Sequence, residues 1–130
     1  MSEKKPLILC IDDDPDILSF LQLVLEGAGY RYAGAESAEE GLRVYKEVAP
    51  DALIVDLMME EVDSGTGFVR ELRLLGNKAP VFMLSSVGDD LSATTDIAPL
   101  GLAGIFQKPL ARQHLLTVLA AALAEAESAS

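Results

Sequence analysis

Asp51-Ala52-Leu53-Ile54-Val55-Asp56 is a short apolar run that ends in a carboxylate. Four apolar residues in a row, without alternation, suit a strand covered on both faces, which is the usual condition of a parallel sheet. Open parallel sheets keep their chemistry at the carboxyl tips of their strands, and Asp56 stands at such a tip. An earlier run, Leu7-Ile8-Leu9-Cys10-Ile11, ends the same way in Asp12-Asp13-Asp14. Two later runs end at Ser85 and just before Lys108-Pro109. One sheet edge is therefore expected to collect carboxylates, a hydroxyl and an amine.

Between these runs lie helical patterns. Pro15 suits the first turn of a helix, and Ile17, Leu18, Leu21, Val24 and Leu25 recur at helical spacing until Gly27 and Gly29. Tyr30 to Ala35 reads as a second strand, and Ser37-Ala38-Glu39-Glu40 as a capping box opening a helix with Leu42, Val44, Tyr45 and Val48. After Asp56 an acidic, Gly-containing loop leads to a helix with Phe68, Val69, Leu72 and Leu75, then to a strand at Val81-Phe82-Met83-Leu84. A fourth helix is expected from roughly Asp90 to Ala98, although Ser92, Thr94 and Thr95 form helix poorly. Ile105 and Phe106 form a short fifth strand, and Leu110 to Ala126 a final helix with Leu115, Leu116, Leu119 and Leu123 on one side. Glu125 to Ser130 is expected to fray. Strict alternation of strand and helix implies right-handed crossovers: a doubly wound α/β fold with a five-stranded parallel sheet and helices on both faces.

The chain has 130 residues, half of them hydrophobic, which suits a single domain spanning 1–130 with an ordered core of about 6–126. A net charge of −11 argues against binding nucleic acid or an anionic membrane. Cys10 has no partner for an internal disulfide and reads as a small core residue. Met1-Ser2-Glu3-Lys4-Lys5 lacks the apolar stretch of a signal peptide, and the run from Leu115 to Ala124 is too short to span a bilayer, so a cytoplasmic location is expected.

The strand tips then suggest a chemistry. Asp12, Asp13 and Asp56 meet if the first and third strands are neighbours, and three carboxylates so close repel one another unless a cation sits among them. Oxygen donors without a nearby His or Cys favour Mg2+ over zinc. Magnesium draws phosphate, and a carboxylate beside it, faced by the Lys108 ammonium and the Ser85 hydroxyl, is equipped to attack a phosphoryl group.

Four blocks, taken in order, resemble the receiver domain of two-component response regulators over essentially the whole chain. They are Leu9-Cys10-Ile11-Asp12-Asp13-Asp14-Pro15, Ile54-Val55-Asp56-Leu57-Met58-Met59, Met83-Leu84-Ser85-Ser86 and Gln107-Lys108-Pro109-Leu110. The resemblance implies a flavodoxin-like strand order 2-1-3-4-5. It further implies that Asp56 accepts a phosphoryl group from a histidine kinase or a phosphotransfer protein, giving an acyl phosphate. Asp13 would be the main Mg2+ ligand, with Asp12 acting through water and the backbone carbonyl of Met58 completing the site. Lys108 would pair with the phosphoryl oxygens, Pro109 would follow a cis peptide bond, and Ser85 would swing toward the phosphoryl group. The output would be altered binding to a downstream protein or output domain, or a phosphorylation-dependent homodimer, rather than a released product. Since the chain ends just after its last helix, it is expected to carry no output of its own, as a stand-alone regulator or a piece of a longer one.

This sequence departs from the family pattern in places. Glu60 stands where a proline is common, and Glu61-Val62-Asp63-Ser64-Gly65-Thr66-Gly67 makes a longer, more acidic loop. Ile105 occupies the position of the usual switching Tyr or Phe, with Phe106 expected on the opposite face. Met58 and Val87, two residues after Asp56 and Ser85, are apolar and cannot orient a water, so slow self-dephosphorylation is expected. Asp14 reads as a helix cap, and His114, the only histidine, is given no chemical role. Two other readings are weighed. One is a phosphorylation-independent docking module on the same fold. The other is a haloacid-dehalogenase-type phosphohydrolase, suggested by Asp12-x-Asp14 and Gly88-Asp89-Asp90 but opposed by the position of Lys108 after Asp89.

Overall fold

The computed structural model describes residues 5–56, 64–85 and 103–129. In chain order the elements are β1 (Leu7–Ile11), α1 (Pro15–Gly27), β2 (Arg31–Ala35), α2 (Ala38–Val48), β3 (Ala52–Asp56), α3 (Ser64–Leu74), β4 (Val81–Ser85), β5 (Gly104–Gln107) and α4 (Arg112–Ala129). All strand pairs are parallel, and the sheet order is β2-β1-β3-β4-β5. The order reverses at β1, where chain direction through the sheet switches, and ligands of such folds bind above that point.

The pleat divides the core in two. Leu9, Ile11, Leu53, Val55, Val81 and Met83 point to one face, where they meet Phe68 and Leu72 of α3 and Leu42 and Tyr45 of α2. Ile8, Cys10, Ala52, Ile54, Phe82, Leu84 and Phe106 point to the other, against Leu18, Leu21, Val24 and Leu25 of α1 and Leu115 and Leu119 of α4. β1, β3 and β4 are buried along their whole length, which explains their unbroken apolar sequences. Each fully buried Leu, Ile or Phe contributes about 1.5–3 kcal/mol. Cys10 belongs to the second cluster, and burial pushes its thiol far above the ordinary range, with the Asp12 charge adding to the effect.

Local signals set the helix ends. Asp14 is extended at the N-cap of α1 and its side chain accepts the Asp16 N–H at 2.9 Å, with Pro15 next. Ser37 caps α2 by accepting from Glu40 N–H at 3.1 Å, while Glu40 Oε1 accepts from the N–H of Glu36, one residue before the usual capping-box donor. At its other end α2 stops on Ala49, held left-handed at φ 49°. Gly41 marks the closest approach of α2 to the sheet: a Cβ there would lie 2.7 Å from Ile11 Cδ1 and 3.1 Å from Phe68 Cε1. The start of β1 is tied to that of β3, since Asp51 Oδ2 accepts from Leu7 N–H at 2.7 Å and Leu7 O from Asp51 N–H at 2.8 Å.

Strand ends differ from expectation by at most a single residue, and three helix boundaries differ as well. α3 starts at Ser64 and takes in Gly65 and Gly67, because Phe68 and Leu72 drive it onto the core and tertiary burial outweighs the helix cost of glycine. α4 begins at Arg112 instead of Leu110: Leu110 packs against the core ahead of the helix, and the Ala111 carbonyl accepts from Leu115 N–H at 2.9 Å. It runs on to Ala129 where fraying was expected, since its alanine-rich end contains no Gly or Pro. The helix expected at 90–98 lies outside the described residues. Among those residues, no helix is long and apolar enough to cross a membrane.

Candidate functional site

The site is built at the carboxyl edge of β1, β3, β4 and β5. Asp12 follows β1 directly and is fully buried; its N–H donates to the Ala35 carbonyl at the end of β2 at 3.1 Å. Asp56, the last residue of β3, is 4% exposed, and Ser85, the last of β4, is 1% exposed. β4 and β5 pair Ser85 with Gln107, and the next residue, Lys108, donates its N–H to the Ser85 carbonyl at 2.7 Å. That bond aims the lysine back across the sheet edge. Its Nζ reaches Asp12 Oδ2 at 3.1 Å and Asp56 Oδ1 at 3.4 Å.

Lys108 thus joins two buried carboxylates. Partial burial alone would lower its pKa, but contact with Asp12 and Asp56 outweighs that and holds the ammonium above the ordinary lysine value. The Asp12 carboxylate divides its two oxygens. Oδ1 accepts from Asp14 N–H at 2.9 Å; Oδ2 has the charge contact with Lys108 but no hydrogen bond of good alignment. Ser85 Oγ is likewise buried without a hydrogen-bond partner among the described residues. A buried hydroxyl without a hydrogen-bond partner is costly and commonly marks the place of a ligand.

Asp12, Asp13 and Asp56 each offer an oxygen, and these lie within 4.8 Å of one another. Two of these residues are buried and Asp13 is exposed. A hard divalent cation fits this donor set, since it would neutralise three crowded carboxylates.

The expected site residues Asp12, Asp13, Asp56, Ser85 and Lys108 are all on this edge, and the Lys108-Pro109 bond is cis. Met58 and Val87 lie outside the described residues, as does most of the acidic loop after Asp56. Ile105 is 41% exposed and Phe106 3%, so they face opposite ways as anticipated. His114 is exposed and stands edge-on to Phe106, with ring centroids 5.7 Å apart, away from the acidic cluster. Two contributions were missed: the Asp14 N–H and the Ala35 carbonyl, both main-chain groups. The Asp-x-Asp spacing was a signal for the first, since Asp side chains often accept from the N–H two residues on.

Residues 8–120 match the model of the response regulator receiver domain, and the chain belongs to this family. The acidic cluster is of the kind in which receiver domains hold Mg2+. The whole chain is 34% identical to the transcriptional regulatory protein GlrR of Escherichia coli, of which it spans 29%. Among solved structures, a response regulator receiver domain protein from Clostridium thermocellum superposes with a TM-score of 0.86 at 28% identity, covering 96% of this chain and 99% of that one. The chemotaxis protein CheY4 of Vibrio cholerae superposes at 0.82 with 25% identity, covering 91% and 98%. Membership of the receiver-domain family sets the chain apart from the haloacid-dehalogenase-type reading.

Proposed function

We propose that Asp56 is a phosphoacceptor whose modification, in a Mg2+-dependent reaction, switches binding to another protein. The observation that carries this is the placement of Lys108 Nζ against both Asp12 and Asp56, because an ammonium fixed beside a buried carboxylate can stabilise the negative charge of a phosphoryl group transferred to it. An Asp56 oxygen forms a bond to phosphorus as the nitrogen–phosphorus bond of a phosphohistidine breaks, and the electron pair leaves with the imidazole. Lys108, kept protonated, moves from carboxylate to phosphoryl oxygen as negative charge builds there. The Ser85 hydroxyl, which has no hydrogen-bond partner among the described residues, donates to another phosphoryl oxygen and leaves its resting position to do so. Asp13, Asp56 and the Met58 carbonyl would hold Mg2+, with Asp12 acting through water. When bound, Mg2+ offsets the charge of the carboxylates and the incoming phosphoryl group. The donor is a histidine kinase or phosphotransfer protein in the cytoplasm, and the recipient of the switch is a downstream protein, an output domain or a second copy.

Incubation with acetyl phosphate and Mg2+, read by intact mass, tests this. A single phosphoryl adduct is expected, absent without metal and absent in Asp56→Asn. A folded protein that takes no adduct would favour the phosphorylation-independent docking module instead. The adduct should also be long-lived, since Met58 and Val87 are apolar. Polar substitution at both positions is expected to shorten its half-life, and an unchanged half-life would refute that role.

A further inference from the structure

The third aspartate of the acidic block is not a ligand in the reading above, yet the geometry gives it work in the site. Besides its carbonyl, which accepts from Ile17 and Leu18 N–H at 3.1 and 3.2 Å as α1 begins, Asp14 makes two hydrogen bonds in opposite directions. Its side chain accepts from Asp16 N–H at 2.9 Å, which fixes it as the N-cap of α1 at φ −98° and ψ 109°. Its own N–H donates to Asp12 Oδ1 at 2.9 Å. Asp12 is otherwise held by its N–H to Ala35 O and by the Lys108 contact on Oδ2. The rotation of the Asp12 carboxylate, and hence the aim of Oδ2, is set by the Asp14 N–H on one side and Lys108 on the other.

We infer that Asp14 is a positioning residue for the cation site: by capping α1 it locks the turn whose N–H orients Asp12, and so presents the Asp12 carboxylate, acting through water, to the metal. The inference rests on the Mg2+ reading of the acidic cluster. It assigns the effect of Asp14 to its hydrogen bond, not to its charge. Groups that orient a metal's ligands commonly change affinity by tenfold or more when removed. Asn and Ser accept the same capping bond without the charge; Ala does not.

The test is calorimetric titration of Mg2+ into the wild-type protein, Asp14→Ala, Asp14→Asn and Asp14→Ser, with Asp13→Asn as the ligand control and melting temperature recorded alongside. Asp14→Ala is expected to weaken Mg2+ binding by about tenfold, with Asp14→Asn and Asp14→Ser close to wild type. Two results would overturn the inference. If Asp14→Asn weakens binding as much as Asp14→Ala, the carboxylate acts through its charge. If Asp14→Ala melts earlier but binds Mg2+ as wild type does, Asp14 is a helix cap alone. Absence of Mg2+ binding in the wild type would defeat the metal reading itself, a result separable from both.

Discussion

Lys108 illustrates how much one side chain holds together. Its ammonium is the only cation that approaches the buried oxygens of Asp12 and Asp56 among the described residues, at 3.1 and 3.4 Å. Replacing it with methionine keeps the stem and removes the charge, leaving two carboxylates to repel. In the presence of a chelator, Lys108→Met is expected to lose roughly 2–3 kcal/mol in urea unfolding, below the loss for a fully enclosed pair. Added Mg2+ should restore part of it. The pH dependence follows from a lysine pKa raised on folding. Its contribution is complete below the unfolded value of about 10.4 and disappears as the pH climbs through the higher folded value. Lys108→Met should therefore narrow its gap to wild type above that pH, as urea midpoints across an alkaline series would show.

At the scale of elements, two small residues of α2 pull in opposite directions. Ala49 ends the helix in a left-handed conformation that glycine adopts freely, so Ala49→Gly is expected to stabilise by about 0.5–1 kcal/mol. Gly41 is where α2 touches Ile11 and Phe68, so Gly41→Val should cost roughly 2–3 kcal/mol through overpacking despite glycine's poor helix propensity. Thermal unfolding of the two variants checks both signs. Neither position was legible in the sequence. A C-terminal cap is recognised by its glycine, and Ala49 offers only the following Pro50; a close contact between helices has no local pattern at all. Strand ends were legible because each apolar run stops at Asp12, Asp56, Ser85 or Lys108. The start of α3 was not, because Gly65 and Gly67 resemble loop residues and only packing of Phe68 and Leu72 decides otherwise.

Across the whole molecule the dominant quantity is a net charge of −11, borne by a chain with only 10 Lys and Arg against 21 Asp and Glu. Self-repulsion on that scale favours expansion, and salt screens it. Raising NaCl from low to physiological strength should lift the melting temperature by about 3 °C, equivalent to around 1 kcal/mol for a domain of this size. Asp13→Asn should retain that response while losing any extra rise produced by Mg2+, which separates screening from site binding. The carboxyl-edge site and the general acidity are thus distinct electrostatic layers. The first was readable from the order of four sequence blocks; the second is a property of composition alone.

The lone thiol adds a consequence of its own. Cys10 is sealed between the sheet and α1, two residues ahead of Asp12, and burial strongly disfavours its thiolate. A thiol reagent can reach it only when that layer comes apart, so its labelling rate is a built-in clock for opening of the chain around β1. Whatever occupies the acidic edge and tightens β1 should slow the clock, without a dye, a tag or an engineered probe.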